Sequence, residues 1–375
     1  MVAVLSGIGH HQQVDPTASL LWEAARPVVR PDMVVGAIDA GADAARASAL
    51  APAHGLGPML FRALSAAGRA DEASPSLRSE TDLWRAQARV LLPRAVALAT
   101  EPLLADGLEP VIWKGPALAA RYPDPALRPM ADMDMILPAD QHAPAVAALE
   151  RAGWRAVKPH GGEHYDTGLV HPSLPGLPIE LHFGLNSWRH RPNRLRSDGL
   201  WARRQPIELF GSKAFGLAPD DEVVALSAHA GKPYHVFSRL IWATDVVVVS
   251  DGVDWGAVRD RAETCGCRTV VAVMLRLAAV LGATPPWWVT ELPRSGDRRR
   301  AIDEVLDVDW PVTVSTEELD EQMHQLQDRL RYALVDGPAR AVALLPGDVA
   351  DAARGRRARR LLGSVRRVGR AWLTR

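Results

Sequence analysis

Two aspartates separated by a single residue are the first feature of the chain with recognisable chemistry. Asp132 and Asp134 lie in an apolar run, in which Met133 and Met135 alternate with them. Because side chains two positions apart on a β-strand point to the same face, both carboxylates are expected to emerge together. Two like charges this close are costly unless a cation or a proton lies between them. The pattern therefore predicts half of a divalent-metal site.

A strand-to-helix turn lies directly upstream of the aspartates. The apolar run Val111–Trp113 predicts a buried strand that ends at Lys114 and Gly115. Pro116 suits the first position of a short helix, where its missing N–H costs nothing. Free N–H groups at a helix N-terminus attract anions, and glycine lets a phosphate approach the backbone closely. Lys114 and Gly115 are predicted to bind phosphate; the alternative is a lysine that reaches solvent from the strand end.

A third acid and a further cation extend the predicted site. In the run Ile179–Phe183, alternation directs Glu180 and His182 to one face of a strand. If this strand pairs beside the one that carries the aspartates, three carboxylates converge. They suffice for one or two Mg²⁺ ions, with substrate phosphates completing the coordination. Arg128, four residues before Asp132, is predicted to add a fixed positive charge that binds phosphate at the same rim.

Polar residues around a helix break later in the chain are candidates for the same cleft. Lys232 is predicted to face the cleft and bind phosphate, with His229 and His235 nearby. For each of these two histidines, a structural role is favoured over a functional one. Asp245, on the next helix, is expected to form a structural ion pair with Arg239 or Lys232.

The elements that must position these residues indicate an α+β protein, in which a small mixed sheet is flanked by helical regions at both ends. The pattern of apolar residues predicts an N-terminal helical lobe at 1–108, an α/β core at 109–216 and a helical bundle at 217–300. A helical basic region is expected at 301–375.

Several helix boundaries follow from local signals. Met33–Leu50 is predicted as one alanine-rich helical stretch, and Leu83–Leu104 as a longer helix. Three aspartates are predicted to cap helices, because a short side-chain acceptor can bind the free N–H groups of the first turn. They are Asp140, Asp220 and Asp254.

The basic end of the chain allows two interpretations. A helix is predicted at Glu317–Leu334, and arginines interspersed with apolar residues follow between Arg354 and Arg375. A basic amphipathic tail can contact RNA or an anionic membrane surface. It can equally be a solvated terminal helix, which is the favoured interpretation.

Composition narrows the class of protein. Of the 375 residues, 47% are hydrophobic and 23% are charged, and the formal net charge is zero. These values suit a globular protein and give no overall case for nucleic-acid or membrane binding. The two cysteines, Cys265 and Cys267, lack the spacing of a zinc site and are expected to be reduced thiols. No secretory signal or transmembrane span is evident, so a cytoplasmic location is expected.

The order of these motifs resembles a known superfamily. A glycine after a strand, a helix, a strand-borne Asp-x-Asp and a third acid on a later strand are similar to the DNA-polymerase-β-like nucleotidyltransferases. More narrowly, Lys114-Gly115, Asp132-Met133-Asp134 and Glu180-Leu181-His182 resemble an uncharacterised bacterial branch, in which Lys-Gly stands where most relatives carry Gly-Ser. The resemblance extends to His229–Lys232 and covers roughly residues 35 to 285.

This resemblance implies a reaction and roles for three acids. Asp132 and Asp134 would bind Mg²⁺ (or Mn²⁺) and, through it, the triphosphate of an NTP. Glu180 would be the third carboxylate, which binds the catalytic metal and helps to deprotonate the acceptor hydroxyl. The implied activity is transfer of a nucleoside monophosphate to an unidentified acceptor (a small molecule, a peptide or an RNA), with release of pyrophosphate.

Two other interpretations remain open. The chain can be a catalytically silent nucleotidyltransferase-like binding or accessory protein of a biosynthetic or toxin–antitoxin cluster. The presence of all three carboxylates argues against this. A phosphotransferase that moves the γ-phosphoryl group ranks last, because the sequence contains no kinase-type glycine-rich loop and no His-Arg-Asp motif.

Overall fold

A mixed β-sheet forms the centre of the molecule, as predicted for an α+β protein. The computed structural model describes residues 14–157, 166–185, 193–232, 235, 237–290, 302–303 and 306. The predicted helix Glu317–Leu334 and the basic tail lie outside the described residues. None of the helices in the described ranges combines the length and apolar character needed to cross a bilayer.

Among the described residues, the sheet has seven strands: β1 (Val111–Trp113), β2 (Met133–Ile136), β3 (Arg155–Ala156), β4 (Asp166–Val170), β5 (Ile179–His182), β6 (Gln205–Leu209) and β7 (Ser212–Gly216). Their spatial order is β3-β4-β5-β2-β1-β7-β6. β2 lies between β1, to which it is antiparallel, and β5, to which it is parallel. β4 pairs antiparallel with both β5 and β3 and so extends the sheet at one edge.

Helices precede the sheet in the chain. They are α1 (Pro16–Ala24), α2 (Pro31–Asp39), α3 (Ala44–Leu50), α4 (Gly57–Ala66), α5 (Pro75–Ala86) and α6 (Leu92–Ala105), with a π-helical turn at Gln87–Leu91 between the last two. The helix predicted at Leu83–Leu104 is confirmed as part of this last run. The single stretch predicted at Met33–Leu50 is two helices, because the chain turns at Gly41 with φ +96°. Asp43 then caps α3 by accepting from the N–H of Arg46 at 2.8 Å.

The helices that lie within and after the sheet are α7 (Gly115–Ala119), α8 (His142–Arg151), α9 (Ser197–Ala202), α10 (Pro219–Ala230), α11 (Ile241–Val249), α12 (Trp255–Cys265) and α13 (Arg268–Val280). Asp254 caps α12 as predicted, accepting from the N–H groups of Gly256 and Ala257 at 2.8 and 3.2 Å. α10 and α11 pack against each other and against α13. The predicted bundle of helices after the sheet is therefore present.

Two predicted helix caps are wrong. Asp140 lies inside a 3₁₀ turn, and α8 begins only after Gln141. Asp220 lies in the first turn of α10, because Pro219 begins that helix one residue earlier. The Asp220 carboxylate instead accepts from the N–H of Asp254 at 3.0 Å and so connects the starts of α10 and α12.

The two faces of the sheet contact different cores. Met133, Met135 and Leu181 pack with residues of α6 and α8. Val111 and Trp113 pack on the other face with the N-terminal helices and with α10–α13. Successive strand residues point to opposite faces of the sheet. The polar side chains of β2 and β5 therefore point towards the core that contains the N-terminal helices and α10–α13.

Candidate active site

Asp134 lies at the centre of three neighbouring strands. It pairs with Trp113 of β1 on one side and with Glu180 of β5 on the other. Two residues further along, Ile136 pairs with His182. The two acidic strands therefore pair directly, which is the condition under which the sequence pattern brings their carboxylates together. As a result, Glu180 and His182 share a face with Asp134.

Both oxygens of the Asp134 carboxylate have a basic partner. Lys114 Nζ lies 3.0 Å from Oδ2, and His182 Nε2 donates to Oδ1 at 2.7 Å. The Asp134 side chain is only 3% exposed. Burial alone would raise the pKa of Asp134, but Lys114 and His182 outweigh it and hold this pKa below its ordinary value. Asp134 is therefore a buried anion between two basic groups.

Asp132 has the opposite electrostatic character. It directly precedes β2 and is partly buried. Burial, followed by repulsion from the Asp134 carboxylate, raises the pKa of Asp132 to about 6. Lys114 opposes this shift without cancelling it. The two aspartates thus form an asymmetric pair. Too little positive charge lies near the Asp132 carboxylate to balance its burial and its repulsion from Asp134.

The donor atoms of this region suit a divalent cation. One coordinating atom each from Asp134, Glu180 and His182 lies within 4.8 Å of the other two. Carboxylate oxygens are the ligands that Mg²⁺ and Mn²⁺ prefer in proteins. Asp132, which is also a predicted metal ligand, is not part of this group, although its carboxylate interacts electrostatically with Asp134 and Glu180.

The turn between β1 and α7 is strained and tightly packed. Lys114 adopts a φ of +53° and a ψ of −146°, which a residue with a side chain rarely adopts. Gly115 follows with a φ of +28°. A Cβ atom at this position would lie 3.1 Å from the carbonyl oxygen of Asp132. The glycine therefore lets the turn pack directly against the start of the aspartate strand.

Lys232 brings a second ammonium group to the site from the end of α10. It is buried, and burial, followed by repulsion from Lys114, lowers its pKa to about 8. The carboxylates of Asp134 and Glu180 act in the opposite direction. The predicted convergence of this lysine with the acidic strands is therefore present, whereas a contact with phosphate stays a prediction.

His229 and His235 form an aromatic wall beside the site. The ring of His229 packs edge-on against Trp113, His235 and Trp242, at centroid distances of 6.0, 4.5 and 5.6 Å. Burial, followed by the charge of Lys114, holds the pKa of His229 well below its ordinary value. Burial, followed by the charge of Lys232, lowers the pKa of His235 to about 3. Both rings are therefore neutral near pH 7, as expected for structural histidines.

Arg128 is bound by a carboxylate rather than directed freely at the rim. Its Nε and Nη2 atoms donate to the two oxygens of Asp245, both at 2.8 Å, and Nη1 donates to the carbonyl of Pro129 at 2.6 Å. The Tyr122 hydroxyl donates to the same Asp245 at 2.7 Å. The prediction that Asp245 pairs with Arg239 or Lys232 is wrong in its partner and right in its structural role. A phosphate contact by Arg128 stays a prediction.

Sequence patterns missed three members of this environment. Alternation predicts the face on which His182 lies but gives it no role, although its position two residues after Glu180 is a signal for one. The pattern around Trp113 indicates only an apolar strand, yet the centre of its ring lies 4.5 Å from Lys114 Nζ. Nothing in the sequence near Tyr122 pointed to its contact with a helix more than a hundred residues later.

A comparison with protein families agrees with this geometry. A family model described as an uncharacterised nucleotidyltransferase matches residues 40–282, which is more than half of the chain. The matched segment contains the three strands of the site, α10 and Lys232. No curated protein and no solved structure matches the chain.

Proposed function

The chain belongs to this family of uncharacterised nucleotidyltransferases, and from that premise we propose that it transfers a nucleoside monophosphate from an NTP to an acceptor. Pyrophosphate is the other product, and Mg²⁺ or Mn²⁺ is required. The observation that carries the proposal is that Asp134 and Glu180 lie side by side on β2 and β5, next to β1, with Asp132 directly before β2.

We also propose that the family falls within the DNA-polymerase-β-like superfamily. Support comes from the order of the elements: a strand, a tight turn at Lys114 and Gly115, a short helix, a strand with Asp-x-Asp, and a later strand with the third acid. The parallel pairing of β2 with β5 brings the third acid beside Asp134.

The three carboxylates would hold the divalent ion. Asp132, Asp134 and Glu180 offer hard oxygen donors, which match Mg²⁺. When bound, such an ion would supply positive charge that stabilises the charge developing on the leaving pyrophosphate. The carboxylates repel one another, and this repulsion falls when a positive ion lies between them. The repulsion therefore favours binding of the ion.

Lys114 would exchange partners when substrate binds. Its Nζ atom lies 3.0 Å from Oδ2 of Asp134 and neutralises that carboxylate. If the carboxylate held a divalent ion instead, Lys114 would be available to bind a phosphate oxygen of the NTP. Lys232, a second buried ammonium near the same acids, would add to the positive charge around the triphosphate.

Glu180 is better placed than Asp134 to meet the acceptor. Its side chain is 30% exposed, whereas that of Asp134 is 3% exposed. A hydroxyl that approaches from solvent can therefore reach Glu180 first. This supports its proposed part in removing the acceptor proton, a role for which contact with the reacting group is the first requirement.

Incubation with labelled NTPs and Mg²⁺ or Mn²⁺ tests the proposal. Candidate acceptors are tRNA, peptides, sugars and the protein itself. Asp132→Asn and Asp134→Asn are expected to lower transfer by about 100-fold or more, because charge stabilisation of this kind is worth several kcal/mol. Asp140→Asn, an exposed acid in the turn before α8, is the matched control.

Product analysis decides between reaction types. Release of pyrophosphate supports nucleotidyl transfer, whereas formation of a nucleoside diphosphate would indicate transfer of the γ-phosphoryl group. Transfer that survives both aspartate substitutions at the wild-type rate would contradict the assignment of the site.

A further inference from the structure

His182 directs one ring nitrogen at two of the proposed metal ligands. Its Nε2 atom lies 2.7 Å from Oδ1 of Asp134 and 3.6 Å from Oε2 of Glu180. Neighbouring ligands around an ion at about 2.1 Å are separated by about 3 Å, so these two distances bracket the spacing expected for one shared ion. The spacing therefore suits coordination by a nitrogen and two oxygens.

The backbone holds these three side chains in place before any ligand binds. Asp134 pairs with Glu180, and Ile136 pairs with His182, in the parallel ladder between β2 and β5. The side chains of His182 and Asp134 are 6% and 3% exposed. Glu180, at 30%, leaves the group open on one side. The group is therefore a preformed, partly buried site with an approach for a small ion.

Positive charge is already held at this position. The Lys114 ammonium takes the Asp134 oxygen that His182 leaves free, at 3.0 Å. The surroundings of Asp134 are thus arranged to hold a cation. His182 adds a nitrogen donor to that arrangement. Imidazole nitrogen is a good ligand for first-row transition-metal ions, whereas Mg²⁺ is bound by oxygen.

We propose that Asp134, Glu180 and His182 form a mixed oxygen–nitrogen site, which takes a transition-metal ion such as Mn²⁺ in preference to Mg²⁺. The inference rests on the proposed function, since it adds a ligand to the same metal site and names the class of ion. Binding of the ion would displace the proton that Nε2 donates to Asp134, so the coordinated ring would keep its proton on Nδ1. Asp132 then serves as an oxygen donor at the edge of the site.

Pulsed electron paramagnetic resonance of the full-length protein with Mn²⁺, in the absence of NTP, tests this directly. Coupling to a ring nitrogen is expected in the wild-type protein and is expected to be lost in His182→Gln. Glutamine keeps an N–H donor for Asp134 but removes the imidazole. His171→Gln, a substitution in the loop beyond the far end of β4, is the matched control and is expected to retain the coupling.

Affinity measurements show whether His182 coordinates the ion itself or only orients the Asp134 carboxylate. His182→Gln is expected to weaken Mn²⁺ binding by about 10-fold or more and Mg²⁺ binding by less than about 3-fold. Equal losses for both ions would overturn the proposal, because a residue that only orients Asp134 affects both alike. Absence of nitrogen coupling in the wild-type protein would overturn it without any variant.

Neither the nitrogen coupling nor the metal affinity depends on catalytic turnover by the protein. If nitrogen coupling is present and no acceptor is modified, the metal site stands and the proposed nucleotidyl transfer fails. If transfer proceeds with Mg²⁺ and Mn²⁺ shows no nitrogen coupling, the transfer stands and the role of His182 fails.

Discussion

Arg128 and Asp245 face each other through two parallel hydrogen bonds, although 117 residues separate them in the chain. Asp245 is fully buried, and the Arg128 side chain is 9% exposed. Burial would lower the pKa of Arg128, but the facing carboxylate outweighs it and holds this pKa above its ordinary value. The pair joins the loop that leads into β2 to helix α11, so it connects the acidic strand with the helical side of the cleft.

Substitution of Asp245 is expected to destabilise the protein strongly. Asp245→Asn leaves the Arg128 guanidinium buried without a counter-charge, a change that costs about 3–5 kcal/mol. Urea unfolding followed by circular dichroism measures the free energy of unfolding. Asp82→Asn is the matched control, because Asp82 pairs with Arg85 on the surface with 74% of its side chain exposed. That change should cost less than about 1 kcal/mol. Equal effects of the two substitutions would refute the importance of the buried pair.

Gly115 is expected to be intolerant of a side chain for two separable reasons. Gly115→Ala places a Cβ atom 3.1 Å from the carbonyl oxygen of Asp132, on a backbone with a φ of +28°. Gly252→Ala shares the positive φ, at +70°, and meets no heavy atom within 4 Å. The control is expected to lose about 1 kcal/mol from backbone strain alone.

The difference between the two glycine variants isolates the contact with Asp132. Gly115→Ala is expected to be less stable than Gly252→Ala and to bind Mn²⁺ more weakly, because the start of β2 must shift. Calorimetric titration with Mn²⁺ and thermal unfolding measure both effects. Unaltered metal affinity in Gly115→Ala would show that the turn does not position Asp132.

Alternation of side chains was sufficient to predict the acidic face of the sheet. Alternation places Asp132 and Asp134 on one face and Met133 and Met135 on the other, and the core that contains α6 and α8 includes both methionines. The pairing of β2 with β5 is only a condition at the level of sequence, and the structure meets it with a register that aligns Asp134 with Glu180. The alternation of polar and apolar residues indicates which side of a strand is buried. This part of the fold could therefore be predicted from the sequence.

Long-range partners could not be predicted in the same way. The choice of Arg128 as the partner of Asp245 depends on how α11 packs on the core, which no local pattern encodes. Likewise, His182 and Asp134 are 48 residues apart, and their contact follows from strand register. The wrong cap at Asp220 has a local cause: Pro219 can begin a helix, so α10 starts one residue earlier than the aspartate suggests.

Lys114 is expected to compete with a metal ion for Asp134. Its ammonium lies 3.0 Å from Oδ2 of that residue. Lys114→Met removes the competing charge, so Mn²⁺ affinity without NTP is expected to rise by a few-fold. Transfer from NTP is expected to fall by about 10-fold or more, because a phosphate ligand is lost. Lys213→Met, at an exposed lysine on β7, is the matched control. A loss of Mn²⁺ affinity in Lys114→Met would contradict the exchange of partners.

The raised pKa of Asp132 makes a prediction about stability and pH. Its folded-state pKa is about 6, above the ordinary value of 3.8, so the folded protein binds the proton more tightly than the unfolded chain. The contribution of Asp132 to stability is therefore fully present below about pH 4 and is lost as the pH rises towards 6. Near pH 7 the ionised carboxylate of the metal-free protein is destabilising.

Asp132→Asn is expected to remove this cost. The variant should be more stable than the wild type at pH 7.5, by about 1–3 kcal/mol, since each unit of pKa shift corresponds to about 1.4 kcal/mol. Its advantage should shrink between pH 6 and 4 and vanish below that. Urea unfolding in the presence of a chelator, repeated across this pH range, measures the difference. Asp140→Asn, at an exposed position, is expected to show no comparable gain. An advantage of Asp132→Asn that is independent of pH would mean that ionisation of Asp132 is not its source.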